Sequence, residues 1–315
     1  MLRRLAGMAM SRGGAKQGRR LSSLGLIIAL VIASCGAIYI ASRPYVSGWP
    51  ALLAFMACLA AGLYLAQACY DLEGWFEQRE RDLYAARLWG QLKDDAAVEP
   101  FILYLRPFIS TNQIAQTDHH VVPIRSASGA VMNFAAAADR VEFEEEIEGA
   151  LRAFGPLVAL GQPLEHMGAG RIRVEDDEWQ DAIARLIDAA SLVVLLPSPR
   201  PGTSWEVERI LTSGALDKTI LVDPPNARGA DDASYDPVSE WAGVYQSFHA
   251  HGFELPEDDP EGQLIWFASD HTPQLAETIS LVDGQAHMRS FARRILKSRK
   301  LAARSADKEG TREHA

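Results

Sequence analysis

Between Ser191 and Leu211 the chain reads SLVVLLPSPRPGTSWEVERIL: an apolar run, a Pro/Gly/Ser turn, and a helix whose first turn carries Trp205 and Glu206. A carboxylate in that position lies in the crevice beyond the carboxyl ends of parallel strands, where open α/β sheets bind ligands. On a first helical turn the dipole favours its ionised form. Trp205, or Trp179 upstream, offers a face on which a flat base can stack. Arg106 closes the apolar run in YLRPF, and its planar fork suits an anionic group such as pyrophosphate; an ion pair with an acidic neighbour is the alternative. A structural alternative also stands for the glutamate. Thr203 with Glu206 three residues on fits a capping box, in which the carboxylate bonds back to the N-cap amide and Trp205 merely packs.

Other patterns carry less. His119 and His120 are adjacent, so on a strand they point to opposite sides, and no second cluster has ligand spacing; no metal site is expected. GQPLEHMGAGR supplies Gly161, Gly168 and Gly170 without a dinucleotide fingerprint. G-x-S-x-G, Walker and H-E-x-x-H motifs are absent from the sequence.

The elements that must position these residues alternate short apolar runs with helical periodicity, the signature of a parallel sheet flanked by helices. The runs are Phe101 to Leu105, Leu157 to Leu160, Leu192 to Leu196, Thr219 to Val222 and Leu264 to Phe267. Phe143, Ile147, Ala150, Leu151 and Phe154 mark one amphipathic helix, ended by Gly155-Pro156. Trp179, Ile183, Leu186, Ile187 and Ala190 mark another, with Asp176 or Asp177 as N-cap. The expected domain, 99–285, is a flavodoxin-like doubly wound parallel sheet of about five strands, whose order sequence alone leaves open. A hairpin is expected around Asp118 to Ile124, a helix near Val238 to Phe248, and a helical segment from Pro273 to about Lys300, with a basic helical to disordered tail over 286–315.

The segment DDEWQDAIARLIDAASLVVLLPSPRPGTSWEVERI, together with FILYLRPF and FEEEIEGALRAFGPLVALGQP, resembles Toll/interleukin-1-receptor (TIR) and TIR-like domains over about half the chain. The resemblance implies hydrolysis of NAD, with Glu206 as the catalytic residue and Glu208 as its rival, because the usual motif places two residues between Trp and Glu. Arg106, Ser204, Trp205 and Trp179 are then the candidate substrate-binding residues. NAD enters as substrate, and no cofactor is implied. Nicotinamide leaves as a neutral ring, so a lone carboxylate suffices to stabilise or trap the ribosyl cation. The glycine-rich GQPLEHMGAGR occupies the place of the loop that TIR domains use in self-association. A non-catalytic signalling module, binding a protein or sensing a nucleotide, is the alternative. A nucleoside-deoxyribosyltransferase-like enzyme is a third reading.

The first 70 residues are of a different kind. Leu24 to Ala41 and Ala51 to Cys69 are uncharged apolar runs, each near the roughly 20 residues that a helix needs to cross a bilayer. They are expected to form a two-pass hairpin, 24–69, behind a basic N-terminus, 1–23. A charged stalk helix, 70–98, follows, with Leu72, Trp75, Phe76, Leu83, Leu88 and Trp89 as packing positions. Six basic and no acidic residues precede the first run, and only Arg43 lies between the two, so both termini are expected in the cytoplasm at the cell (inner) membrane. A signal peptide cleaved near Ile32-Ala33-Ser34-Cys35 is the competing reading. Cys35, Cys58 and Cys69 are the only cysteines, so the soluble part has no disulfide or thiolate metal site. Of the net charge of −10, each basic end contributes +6, counting the first 20 residues and those from Ala286 onward, which leaves −22 on the body. That balance argues against a nucleic-acid surface.

Overall fold

The computed structural model describes residues 34, 36, 49–106, 113–115, 122–125, 131–134, 140–163, 168–223, 237–268, 273–279 and 284–313. Apart from Ser34 and Gly36, the first expected span lies outside them. The second is helical throughout, although most of its side chains fall outside the description. Among the described residues no helix is long and apolar enough to cross a membrane.

The first described helix, α1 (Trp49–Lys93), runs unbroken for 45 residues, so the expected boundary between span and stalk at residue 70 is not a break. Nor is its carboxyl half a mere linker. Gln78, Asp82, Ala85, Leu88 and Trp89 are buried against the domain, whereas Leu72 and Trp75 stay exposed.

The domain is α/β, built on a mostly parallel seven-stranded sheet. In chain order come β1 (Ile102–Leu105), β2 (Gln113–Ala115), β3 (Val122–Arg125), β4 (Val131–Phe134), β5 (Arg140–Glu142), α2 (Phe143–Leu151), β6 (Leu157–Leu160), β7 (Gly170–Ile172) and α3 (Trp179–Ala189). Then follow β8 (Leu192–Leu195), α4 (Pro201–Ser213), β9 (Thr219–Asp223), α5 (Pro237–Ala250), β10 (Gln263–Trp266), β11 (Leu275–Thr278) and α6 (Gly284–Glu313). The main sheet has the order β11-β10-β9-β8-β1-β6-β7, while β2 pairs β5 and β3 pairs β4 separately.

All five apolar runs are strands, but β10 runs antiparallel to β9, and β11 antiparallel to β10. Numbered by chain order, the five parallel strands lie 3-2-1-4-5 across the sheet; without the three-residue edge strand β7, the remaining four lie 2-1-3-4. Growth of the sheet reverses between β1 and β8, the type of switch point beside which open α/β sheets bind ligands. The hairpin after β1 pairs Val122–Arg125 with Val131–Phe134, slightly later than expected. The helical segment expected from Pro273 begins only at Gly284, because Leu275–Thr278 pairs with β10, and it continues to Glu313.

Alternation along the strands divides the core into two faces. Leu103, Leu105, Val158, Val193, Leu195 and Leu221 point toward α1, α3, α4 and α5. Ile102, Tyr104, Ala159, Leu192, Val194 and Ile220 point toward α2 and α6. Full burial of an aliphatic side chain contributes about 1.5–3 kcal/mol, so these two layers are the main source of the domain's stability.

Candidate functional site

The turn after β8 is shorter than expected. Pro201 takes the first helical position, where its fixed φ and missing N–H are no handicap. Arg200 is the N-cap and makes no side-chain capping bond. Trp205 and Glu206 therefore lie in the second turn, and Thr203 is inside the helix. The capping box does not form.

Thr203, Glu206, Val207 and Ile210 are the buried residues of α4, a stripe at i, i+3, i+4 and i+7 that turns Glu206 toward the sheet. Glu206 is 3 % exposed, and its Oε2 has no hydrogen-bond partner among the described residues. Burial pushes its pKa up to about 8. The expectation of an ionised carboxylate held by the helix dipole fails here, since that field fades beyond the first turn and desolvation disfavours the charge. The rival, Glu208, lies on the exposed side of α4.

Trp205 is half-buried and meets Trp179, the first residue of α3, edge to face, with ring centroids 5.1 Å apart and planes at 72°. Trp179 also lines a cavity of about 330 Å³ at the carboxyl ends of β6 and β7. One wall is Leu160, Gly161 and Gln162; the other is the segment carrying Ile172, Val174, Glu175, Asp176 and Trp179. The floor is aliphatic and the rim acidic, with no basic side chain in the lining. Of the expected site residues only Trp179 reaches this space. Ser204 is half-buried on α4, and its amide donates to Arg200 O in the first turn.

Arg106 is drawn elsewhere. Its position at the end of β1 shares the face of Ile102 and Tyr104, and its Nε lies 3.6 Å from Glu144 Oε2 at the start of α2. Glu206 belongs to the opposite face, so the structure does not bring the two together. Glu144 is completely buried. It also accepts from the Ala169 amide at 2.7 Å and from Arg171 Nη2. Arg171 is 1 % exposed, and its Nε and Nη1 have no hydrogen-bond partner among the described residues; neither has the hydroxyl of Tyr104. Burial and the Glu144 charge raise the Tyr104 pKa, so the phenol stays protonated.

Two glycines of GQPLEHMGAGR, Gly168 and Gly170, are there for close packing. A side chain on Gly168 would strike Glu144, and one on Gly170 would strike the carbonyl of Arg81 on α1.

Sequence reasoning missed Asp223. It ends β9, is 7 % exposed, and has its pKa pushed up to about 7 by burial, partly offset by a hydrogen bond from Gln263. A carboxylate closing a buried apolar strand was the available signal. Arg171, Glu144, Gln78 and Asp82 were also missed, and their pairing across distant segments gives no local signal. His119 and His120 lie outside the described residues, and among those described no cluster of His, Cys, Asp or Glu is placed to hold a metal.

Fold and site thus define an α/β domain with a cavity at the carboxyl edge of a mostly parallel sheet. Compared with known proteins, the chain matches no protein-family model, no curated protein and no solved structure.

Proposed function

We propose that this chain is a membrane-anchored, TIR-like signalling or defence protein that cleaves the N-glycosidic bond of NAD or a related nucleotide, with Glu206 as the catalytic residue. In this reading the sheet is flavodoxin-like, with an antiparallel fifth strand, β10, and an added strand at each edge, β7 and β11. The runs at 24–41 and 51–69 anchor it in the cell (inner) membrane with both termini cytoplasmic, and clustering of copies triggers it. The acidic body disfavours nucleic acid as a partner.

The observation that carries the reading is the burial of Glu206, whose Oε2 has no hydrogen-bond partner among the described residues, next in sequence to Trp205, which packs on the cavity-lining Trp179. Leaving a carboxyl group buried and unpaired costs stability, and such groups concentrate at functional sites. A pyridinium ring held on the tryptophans brings a positive charge beside the carboxyl group, which favours its ionised form. The carboxylate then stabilises the ribosyl cation while the C1′–N bond breaks and its electron pair neutralises the departing ring. Water adds at C1′ and releases its proton.

A non-catalytic module is favoured by one observation: Glu206 is buried and Arg106 pairs with Glu144. Nicotinamide release from NAD⁺ by the full-length protein in detergent separates the two. Turnover that persists in Glu208→Gln and disappears in Glu206→Gln supports the enzyme. Absence of turnover from intact, concentrated protein supports the module.

A further inference from the structure

We propose that α1 sets the width of the carboxyl-edge cavity, so that movement of its upstream half regulates the site. The inference rests on reading that cavity as the ligand site.

The movable wall is the segment from Gly168 to Trp179, and α1 holds its start. At the first end the amide of Gln78 behaves as a neighbouring strand would: its Nε2 donates to Ala169 O at 2.7 Å, and its Oε1 accepts from the Gly168 amide at 2.9 Å. Asp82 Oδ1 accepts from the Arg171 amide at 2.9 Å and from Gln78 Nε2 at the same distance. Gln78 and Asp82 are both buried, and the Arg81 carbonyl presses against Gly170 closely enough to exclude any side chain there. Tight packing of that kind passes displacement on instead of absorbing it.

At the other end the hold is looser: Trp89 belongs to the large apolar core of this face, against which Leu92, Val174 and Trp179 pack. Lys93 Nζ adds an exposed ion pair, 3.8 Å from Glu178 Oε2, beside Trp179. The opposite wall, Leu160 to Gln162, continues from β6, which β1 holds on its far side; the two walls meet at their base, where the Gly161 amide donates to Ile172 O at 3.2 Å. A shift of α1 that draws β7 and the segment after it along therefore changes the angle between the walls about that base. Because α1 is a single helix from Trp49 onward, a tilt or rotation imposed on its apolar upstream half reaches Gln78 without an intervening joint.

Spin-label distance measurement tests this on the full chain in detergent, with the native cysteines replaced by serine. Labels at Gln162→Cys and Asp176→Cys span the cavity; a control pair at Glu208→Cys and Tyr245→Cys spans α4 and α5. Gln78→Ala/Asp82→Ala is expected to shift or broaden the cavity distance beyond the wild-type distribution while leaving the control distance unchanged. Asp82→Asn, which keeps an acceptor for the Arg171 amide, gives a smaller change in the same direction and serves where the double variant loses its fold. A cavity distance unchanged in the folded variants, with faster amide exchange over 78–85 showing that α1 has loosened, overturns the proposal and leaves α1 as a cover for the sheet edge. The distances are read without nucleotide, so this result and the fate of the NAD reading are independent.

Discussion

The two faces of the sheet treat buried charge in opposite ways. On the α2 face, Glu144 has no exposure, yet it faces two guanidinium groups and a backbone amide. On the α4 face, Glu206 is buried nearly as deeply with nothing to receive its Oε2 among the described residues. A network of the first kind explains itself as structure, since each group is there for another. An isolated carboxyl group in the second setting has no such account, and that contrast is why Glu206, and not the better-connected Arg106, is the residue to test for chemistry.

The largest expected effect breaks the contrast at Glu206. Its pKa is about 8 in the folded chain against an ordinary 4.5, so the native state retains a proton that the unfolded state releases. Stability therefore falls as pH rises from about 4.5 to about 8, by up to ~5 kcal/mol. Glu206→Gln removes that slope: denaturant melts should show the variant more stable than wild type at pH 9 and nearly equal to it at pH 5. Asp223, pushed up to about 7, adds a slope of the same sign.

Glu144→Ala acts on the paired side and should destabilise at all pH values by roughly 3–5 kcal/mol, because it leaves buried guanidinium groups without their counter-charge. Equal pH profiles for Glu144→Ala and Glu206→Gln would erase the distinction between the faces. Gln78→Ala, which strips two hydrogen bonds from the Gly168-Ala169 segment leading into β7, is expected to cost about 1–3 kcal/mol. It should speed amide exchange at Gly168 more than in β8. The smallest effect belongs to the surface cluster in which Arg294 and His287 hold the Glu277 pKa down to about 2. Its contribution is present above about pH 4.5 and lost as pH falls toward 2. Solvent screening keeps it under about 1 kcal/mol, visible as a small acid-limb shift in Arg294→Ala.

Much of the sheet was legible because β1, β6, β8 and β9 are short, fully buried apolar runs. Gly170–Ile172 was not: a glycine, an arginine and one apolar residue make no run, and they form a strand only because β6 and α1 enclose them. The direction of β10 is a tertiary property absent from its own residues. At the site, the chain pointed to Glu206 and the two tryptophans but mistook their setting. Threonine three residues before glutamate suggested a helix start; Pro201 starts the helix earlier and turns both residues inward. The spacing of Thr203, Glu206, Val207 and Ile210 already contained that result. Glu144 and Arg171, 27 positions apart, meet only once the sheet has formed.

The measurement that bears most directly on Glu206 is the pH profile of nicotinamide release from NAD⁺ by the full-length protein between pH 6 and 9, beside Glu206→Gln. Turnover requiring the carboxylate should rise toward pH 8 in wild type and stay at background in the variant. Turnover that survives Glu206→Gln with the same pH dependence would contradict the account and return the buried glutamate to an unexplained feature of the core.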